Sequence, residues 1–281
     1  MAIHFITDSA SDVLPCEAEK WGVTVLPMKI LFGTTEYADC INLTHAQFYE
    51  KLVASDVMPT TCQIPPAEFI EAFEAATENG DEVIVLPISS KLSGTYQSAC
   101  IAAADFDRVH VMDTETVCIG QRLLLQYGLR MAYEGKSAAE IVSELDRVKS
   151  KIRILALLDT LEYLKKGGRI SAATALAGSL LSIKPVVTVE EGEVRMIGKA
   201  RGSKQGNNLL RQLVEKAGGF DYSMPSILAY SGLDDSALRR FIAESPELWE
   251  GHDGPLPICT VGCTIGTHVG PGAVAMAFFE K

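Results

Sequence analysis

The sequence is poor in basic side chains and has no long apolar run. Its 281 residues include 36 Asp and Glu against 25 Lys and Arg, which gives a net charge of −11 at pH 7. This balance argues against nucleic acid as a main partner and against adsorption to an anionic membrane, because both need clustered Lys and Arg. Gly, Pro or charge interrupts every stretch of about eighteen residues, so we expect no membrane-spanning helix.

The N-terminus lacks the features of a secretory signal peptide. The first residues, MAIHFITDSASD, have no basic region and reach Asp8 early. The seven cysteines are odd in number and scattered, with no CxxC pair, and CTVGC at 259–263 has the wrong spacing for a zinc knuckle. We therefore predict reduced thiols, a cytoplasmic protein and no metal site.

Three common catalytic or nucleotide-binding motifs are also missing. There is no GxSxG nucleophile elbow and no HExxH metal motif. A phosphate-binding P-loop is excluded because Arg130 stands where the first glycine before Gly135-Lys136-Ser137 would be. The sequence therefore lacks a phosphate-binding motif, and we expect the protein to have no cofactor.

The order of predicted elements favours an α/β fold. Strands predicted at 2–7, 82–87 and 108–113 alternate with helical patterns, which is typical of a mostly parallel sheet flanked by helices. After residue 151 a predicted hairpin (186–201) and three further strands suggest a mixed or antiparallel sheet. We predict two α/β domains, residues 1–150 and a smaller one at 151–281.

Two hydroxyl-rich loops follow or precede predicted helices. The stretch ISSKLSGTYQSA (88–99) crowds hydroxyls around Gly94, where a strand meets a helix. An anion site at the helix N-terminus and a simple cap by Ser93 or Thr95 both explain this pattern. The second loop, PTTCQIPP (59–66), is either a rigid turn or a partner loop whose Thr61 converges with Ser93.

The second half carries one histidine and several cations in special surroundings. IGTHVGPGA (265–273) places His268 in a predicted turn of glycines, which is either structural or built to present the ring. LEYLKKGGRI (161–170) places Arg169 after a predicted helix end, where cations complement the dipole. The uncharged segment 170–183 predicts a core helix or the wall of an apolar tunnel, and Arg201 is a surface cation or an anion ligand.

Six motifs, in this order and over nearly the whole chain, resemble the DegV family: ITDSASD, PTTCQIPP, SSKLSGTYQSA, LEYLKKGGRI, SIKP and IGTHVGPG. Members include the fatty-acid-binding subunit of bacterial fatty acid kinase. The resemblance implies two α/β domains with a long-chain fatty acid buried in a tunnel between them.

The resemblance also implies roles for individual side chains. Thr61, Ser93 and His268 match the positions that hold or adjoin the carboxylate. Arg201 matches a basic residue near the head group, and Arg169 matches a position that faces the kinase partner.

The sequence departs from the family pattern at three positions. Cys62 and Cys118 stand where Ser is common, and Arg122 stands where Gly is common. Their effect on head-group hydration or chain preference is left open.

The predicted function is therefore a carrier and not an enzyme. It binds a long-chain fatty acid and presents the carboxylate to a separate fatty acid kinase, toward phospholipid synthesis. We expect a monomer, with transient membrane contact compatible with the sequence. Two alternatives stay open: a serine hydrolase or acyltransferase using Ser93, His268 and Asp8 or Asp113, and a lipid-responsive sensor.

Overall fold

The computed structural model describes residues 2–171 and 183–281. These residues form ten α-helices and thirteen strands. The helices are α1 (Pro15–Trp21), α2 (His45–Ala54), α3 (Pro66–Thr77), α4 (Thr95–Ala103), α5 (Ile119–Tyr133), α6 (Ala138–Val148), α7 (Glu162–Lys166), α8 (Gly202–Lys216), α9 (Ser236–Glu244) and α10 (Cys263–Val269).

The strands belong to three sheets, which confirms the predicted α/β class. The parallel sheet has the order β2 (Val23–Leu26), β1 (Ile3–Asp8), β6 (Glu82–Leu86) and β7 (Val109–Val111). The mixed sheet has the order β10 (Glu193–Arg201), β9 (Ile183–Glu190), β8 (Ile152–Leu157), β13 (Val274–Phe279), β11 (Ser226–Tyr230) and β12 (Ile258–Thr260). A small antiparallel sheet has the order β4 (Thr35–Ala38), β3 (Lys29–Phe32) and β5 (Thr60–Cys62).

Local sequence signals explain where several elements begin. In α2 the Thr44 side chain accepts the N–H of Gln47 at 3.3 Å, and Gln47 accepts the N–H of Thr44 in return. Ser137 and Glu140 form the same reciprocal cap at the start of α6. The predicted hairpin turns at Glu191–Gly192, where both residues have a positive φ.

Helix α5 joins the parallel sheet to the mixed sheet. Its buried leucines at 123–125 belong to one hydrophobic core that includes Ile84 of the first sheet and Ala277 of the second. A Cβ at Gly128 would lie 2.8 Å from Cε1 of Phe5, so this glycine lets the helix approach β1 closely. The two sheets therefore share a core across residue 150, and the division into two domains stays a prediction.

Three local predictions were wrong. Thr60–Cys62 forms a strand rather than a loop, because the segment pairs with β3. His268 lies in the last turn of a helix rather than in a glycine turn; the helix ends at Val269, and Gly270 caps it. The N-cap of α4 is Gly94, not Ser93 or Thr95.

The predicted core helix or tunnel wall at 170–183 falls mostly on residues 172–182, outside the described residues. Ser182 of the SIKP motif lies there as well. Among the helices that the structure describes, none has the length and apolar character needed to cross a membrane.

Candidate functional site

A cavity of about 200 Å³ lies where β5, the start of α4, α7 and α10 meet. Its apolar wall is made by Met28, Ile88, Leu92, Val117, Leu164, Val194, Ile265 and Val269. Its polar side chains are those of Thr61, Gln63, Ser93, Arg169, Thr264 and His268. A mostly apolar wall with few convergent polar groups is typical of a small-molecule site, although such sites usually exceed about 300 Å³. The described residues therefore enclose room for only part of a long ligand.

The polar end of the cavity is built around a hydroxyl and an imidazole from distant parts of the chain. Thr61 Oγ1 on β5 lies 3.0 Å from Nε2 of His268 on α10. Among the described residues, Nδ1 of His268 is buried without a hydrogen-bond partner. This nitrogen faces Gly167, where an added Cβ would lie 2.3 Å away. Gly167 thus provides the space that the ring occupies.

The imidazole of His268 is neutral at pH 7. Burial and the nearby positive charge of Arg169 lower its pKa to about 4. A neutral ring has one donor and one acceptor nitrogen. When Nε2 carries the hydrogen and donates to Thr61, the Thr61 hydroxyl is free to donate its own hydrogen to an anionic ligand.

The hydroxyls around Gly94 make different contacts, and most of them form hydrogen bonds that hold neighbouring segments together. Ser89 donates to the carbonyl of Gly192 at 2.9 Å and holds the β9–β10 hairpin. Thr95 accepts the N–H of Ile64, and Ser98 accepts a side-chain N–H from Gln63. The interpretation of the whole loop as an anion site is therefore too broad.

Ser93 is the hydroxyl of this loop that faces the cavity. Its Oγ lies 2.9 Å from Thr95 Oγ1 and accepts the N–H of Thr95 at 3.2 Å. Gly94 beside it also lines the cavity, so backbone N–H groups at the start of α4 are close by. The structure thus brings Ser93, Thr61 and His268 to one cavity.

The two predicted arginines occupy different places. Arg169 lines the cavity and donates to the carbonyls of Leu92 and Gly167, so its guanidinium is held at the mouth. Arg201 is exposed at the end of β10 and is not among the cavity-lining residues that the structure describes. Its backbone N–H donates to Gln205.

No described carboxylate completes a Ser–His–Asp triad. Asp8 accepts N–H groups from Ile88 at 2.7 Å and Ala10 at 3.0 Å, and so fixes the start of the loop. Asp113 accepts the N–H of Ser90. A triad needs a carboxylate on the second ring nitrogen, and in the described residues Nδ1 of His268 has no such partner. The geometry does not favour the hydrolase alternative.

The three departures from the family pattern lie outside the cavity lining that the structure describes. Cys62 is exposed on β5. Cys118 is buried and donates to Asp12 at 2.8 Å. Arg122 pairs with Glu17 at 2.9 Å and also donates to the carbonyl of Asp12. These contacts give Cys118 and Arg122 a role in the core beside the cavity.

Some residues of the site carry no recognisable signal in the sequence. Gln63 reaches across Gly94, where an added Cβ would meet its Oε1. Val194 of the β9–β10 hairpin closes one side of the cavity. A wider open cleft of about 710 Å³, with Lys91 and Arg195 in its lining, adjoins the cavity and shares Ser93 with it. The β9–β10 hairpin forms part of this cleft. Its position depends on packing against residues that are distant in the sequence.

The depressed pKa of His268 predicts a change in stability with pH. The folded-state pKa of about 4 lies below the unfolded value, so the neutral ring adds stability above pH 6.5 that is lost as pH falls through 4. Relative to a His268→Gln variant, wild type should lose unfolding free energy on the order of 3 kcal/mol over this interval. Urea unfolding of both proteins at pH 7.5, 5.5 and 4.5 measures the difference. If the difference in unfolding free energy between wild type and His268→Gln is the same at all three pH values, the pKa of His268 is not lowered in the folded protein.

The fold and the site define an α/β protein with a mostly apolar cavity and a few polar groups that converge at one end. A family model described as uncharacterised protein, DegV family, matches residues 2–281. A DegV domain-containing protein of Caldanaerobacter subterraneus is 35% identical over 288 residues, covering 99% of each chain. The chain belongs to the DegV family.

Solved structures of family members support the same relationship. A DegV family protein from Thermus thermophilus, described by its fatty acid binding, superposes with a TM-score of 0.88 at 32% identity over 100% of both chains. DegV from Bacillus subtilis, described as a fatty acid binding protein, has a TM-score of 0.83 at 28% identity, again over 100% of both chains.

Proposed function

We propose that this chain binds a long-chain fatty acid in a tunnel between two α/β domains, residues 1–150 and 151–281, with the carboxylate at the polar end of the cavity. The observation that carries this proposal is the pairing of an apolar wall with the converging side chains of Thr61, Ser93 and His268. The relatives of known structure that bind fatty acids support it.

Neutral donors suit a buried carboxylate. The hydroxyls of Thr61 and Ser93 bind the anion without adding a second charge that must lose its water. Arg169 contributes positive charge from the mouth, where it is tied to carbonyl groups. The alkyl chain supplies most of the binding energy, at about 0.8 kcal/mol for each buried CH₂.

In this proposal the chain also presents the fatty acid carboxylate to a fatty acid kinase, toward phospholipid synthesis. The open cleft beside the cavity supports this, because it shares Ser93 and Arg169 with the cavity and gives a protein partner access to the head group. We assign Arg169 and the exposed Arg201 to the head-group region or the kinase-facing surface. In this proposal the chain acts in the cytoplasm as a monomer without a cofactor of its own, and the kinase performs the chemistry.

Removal of the two hydroxyls tests the head-group assignment. We expect Thr61→Ala and Ser93→Ala each to lower fatty acid affinity about tenfold, since each loses a hydrogen bond to a charged group. Binding of a fluorescent fatty acid and native mass spectrometry of the purified variants measure the loss. The matched controls are Thr60→Ala, the exposed neighbour on β5, and Ser90→Ala, the exposed hydroxyl of the same loop.

Three outcomes would each overturn part of the proposal. If the double variant Thr61→Ala/Ser93→Ala retains fatty acid at the wild-type level, these two hydroxyls do not bind the carboxylate. A purified chain that carries no lipid and takes up none of several fatty acids would remove the carrier function itself. Failure of a fatty acid kinase to phosphorylate the bound lipid would instead remove the presentation step alone and favour the lipid-responsive sensor.

A further inference from the structure

A second cluster of chemically reactive side chains lies at the start of α10. Asp39 and Cys40 follow strand β4, His45 is the first residue of α2, and Cys263 is the first residue of α10. One donor atom from each of Asp39, His45 and Cys263 lies within 4.8 Å of the others. Cys40 Sγ lies 3.1 Å from His45 Nε2.

These distances suit a tetrahedral metal ion. With the usual zinc–sulfur, zinc–nitrogen and zinc–oxygen bond lengths, neighbouring donor atoms around zinc lie about 3.3 to 3.8 Å apart. The donor atoms of Asp39, His45 and Cys263 lie within 4.8 Å of one another, so they approach this arrangement. The Cys40 thiol lies beside the imidazole but outside this group of three, and its side chain would have to move to join them. We propose that Asp39, His45 and Cys263 bind a divalent cation of the zinc class. The Cys40 thiol supplies the fourth ligand.

The carboxylate of Asp39 gives an independent reason for a cation. The side chain is 1% exposed, and Oδ1 has no hydrogen-bond partner among the described residues. A buried carboxylate oxygen without a partner is costly, and a cation bound to it would remove that cost. The other oxygen, Oδ2, accepts the N–H of Thr264 at 3.0 Å and its hydroxyl at 2.6 Å. This is the outer-shell support that orients a metal-binding carboxylate.

The backbone at Cys40 is also unusual. Its φ is +59°, in the left-handed region that glycine adopts without cost and that other residues adopt at about 1 kcal/mol or more. The N–H of Cys40 donates to the carbonyl of Leu43 and closes this turn. Strain of this kind is often retained at functional positions. Here it places a thiol against the imidazole of His45.

The donor set indicates the chemical class of the ion. Two thiols and an imidazole favour zinc-like ions over magnesium or calcium, which prefer oxygen ligands. Because all four donors come from the protein and Cys263 and Asp39 are buried, the site resembles a closed structural site rather than a catalytic one. A bound ion would tie α2 to α10, the helix that carries His268. The metal site does not depend on the proposed ligand of the cavity.

Cobalt and zinc binding by the full-length chain test the site. The protein is purified with a reductant, stripped with a chelator and titrated with Co²⁺, whose thiolate complexes absorb by charge transfer. We expect one cobalt per chain with thiolate-to-cobalt absorption, displacement by Zn²⁺, and a rise in Tm with zinc. Cys263→Ser and Cys40→Ser should each weaken binding at least tenfold. Cys62→Ser, an exposed thiol outside the cluster, is the matched control and should leave binding unchanged.

The outcomes distinguish a metal site from a redox-active pair of thiols. If the reduced, folded chain shows no thiolate–cobalt absorption, the proposal is wrong. Unchanged affinity in Cys40→Ser and Cys263→Ser would also overturn it, because the metal would then bind elsewhere. Cys40 is only partly buried, so Cys40→Ser is expected to fold. This variant alone tests the site if Cys263→Ser does not fold. A disulfide between Cys40 and Cys263 in oxidised protein, together with no cobalt uptake after reduction, would make the pair a redox element instead.

Discussion

The Ile265→Trp variant is expected to lose bound long-chain fatty acid almost completely. Ile265 lies on α10, is 8% exposed and forms part of the apolar wall. An indole at this position takes up space in a cavity of only about 200 Å³ that the alkyl chain needs. Each CH₂ group of the alkyl chain that stays in water loses about 0.8 kcal/mol of binding free energy. Exclusion of about four CH₂ groups therefore lowers affinity on the order of a hundredfold.

Retention of lipid after purification from cells, followed by extraction and mass spectrometry, measures this loss. The matched control is Ile101→Trp, which places the same side chain on the exposed face of α4, where Ile101 is 56% exposed. Thermal unfolding of both variants checks that overpacking has not unfolded the protein. Wild-type lipid content in folded Ile265→Trp would show that the alkyl chain does not pass this wall.

The Gly167→Ala variant should weaken fatty acid binding at least tenfold while leaving the fold intact. The φ of Gly167 is −72°, which alanine adopts freely, so backbone strain does not enter. The added Cβ would lie 2.3 Å from Nδ1 and 2.9 Å from Cε1 of His268. The ring must therefore move, and the contact between its Nε2 and Thr61 Oγ1 is lost.

A double-mutant cycle isolates this effect. In a His268→Ala background the clash is absent, so Gly167→Ala should cause no further loss of affinity. The coupling energy between the two positions should be about 1 to 3 kcal/mol. Equal losses in both backgrounds would show that Gly167 acts through another contact, such as the carbonyl of Tyr163, which would lie 3.1 Å from the added atom.

Many local elements were predictable because short patterns determine them. The strands predicted at 2–7 and 82–87 and the hairpin predicted at 186–201 all occur where the sequence predicts them. The reciprocal caps of α2 and α6 likewise depend on pairs of residues three positions apart. The errors arise where a tertiary partner decides the conformation. Thr60–Cys62 is a strand because β3 lies beside it, and no pattern within those residues reports this.

The candidate site was predictable only in part. The motifs that resemble the DegV family single out Thr61, Ser93 and His268, and the structure brings these side chains to one cavity. Residue types alone did not show that Ser89, Thr95 and Ser98 serve packing, because their partners come from other segments. Nothing in the sequence indicates that Gly167 provides the space for the ring of His268, because that contact depends on how α7 and α10 pack together.

The sequence by itself determined the α/β class, the positions of several strands and the family. These properties depend on periodicity, caps and motifs within a few residues of each other. Only the tertiary structure decided which side chains meet. Thr61 and His268 are separated by 207 residues, and Cys263 is similarly distant in the chain from Asp39 and His45. Such contacts result from how helix α10 packs against β5 and α2, and that packing minimises exposed apolar surface over the whole molecule rather than along any one segment.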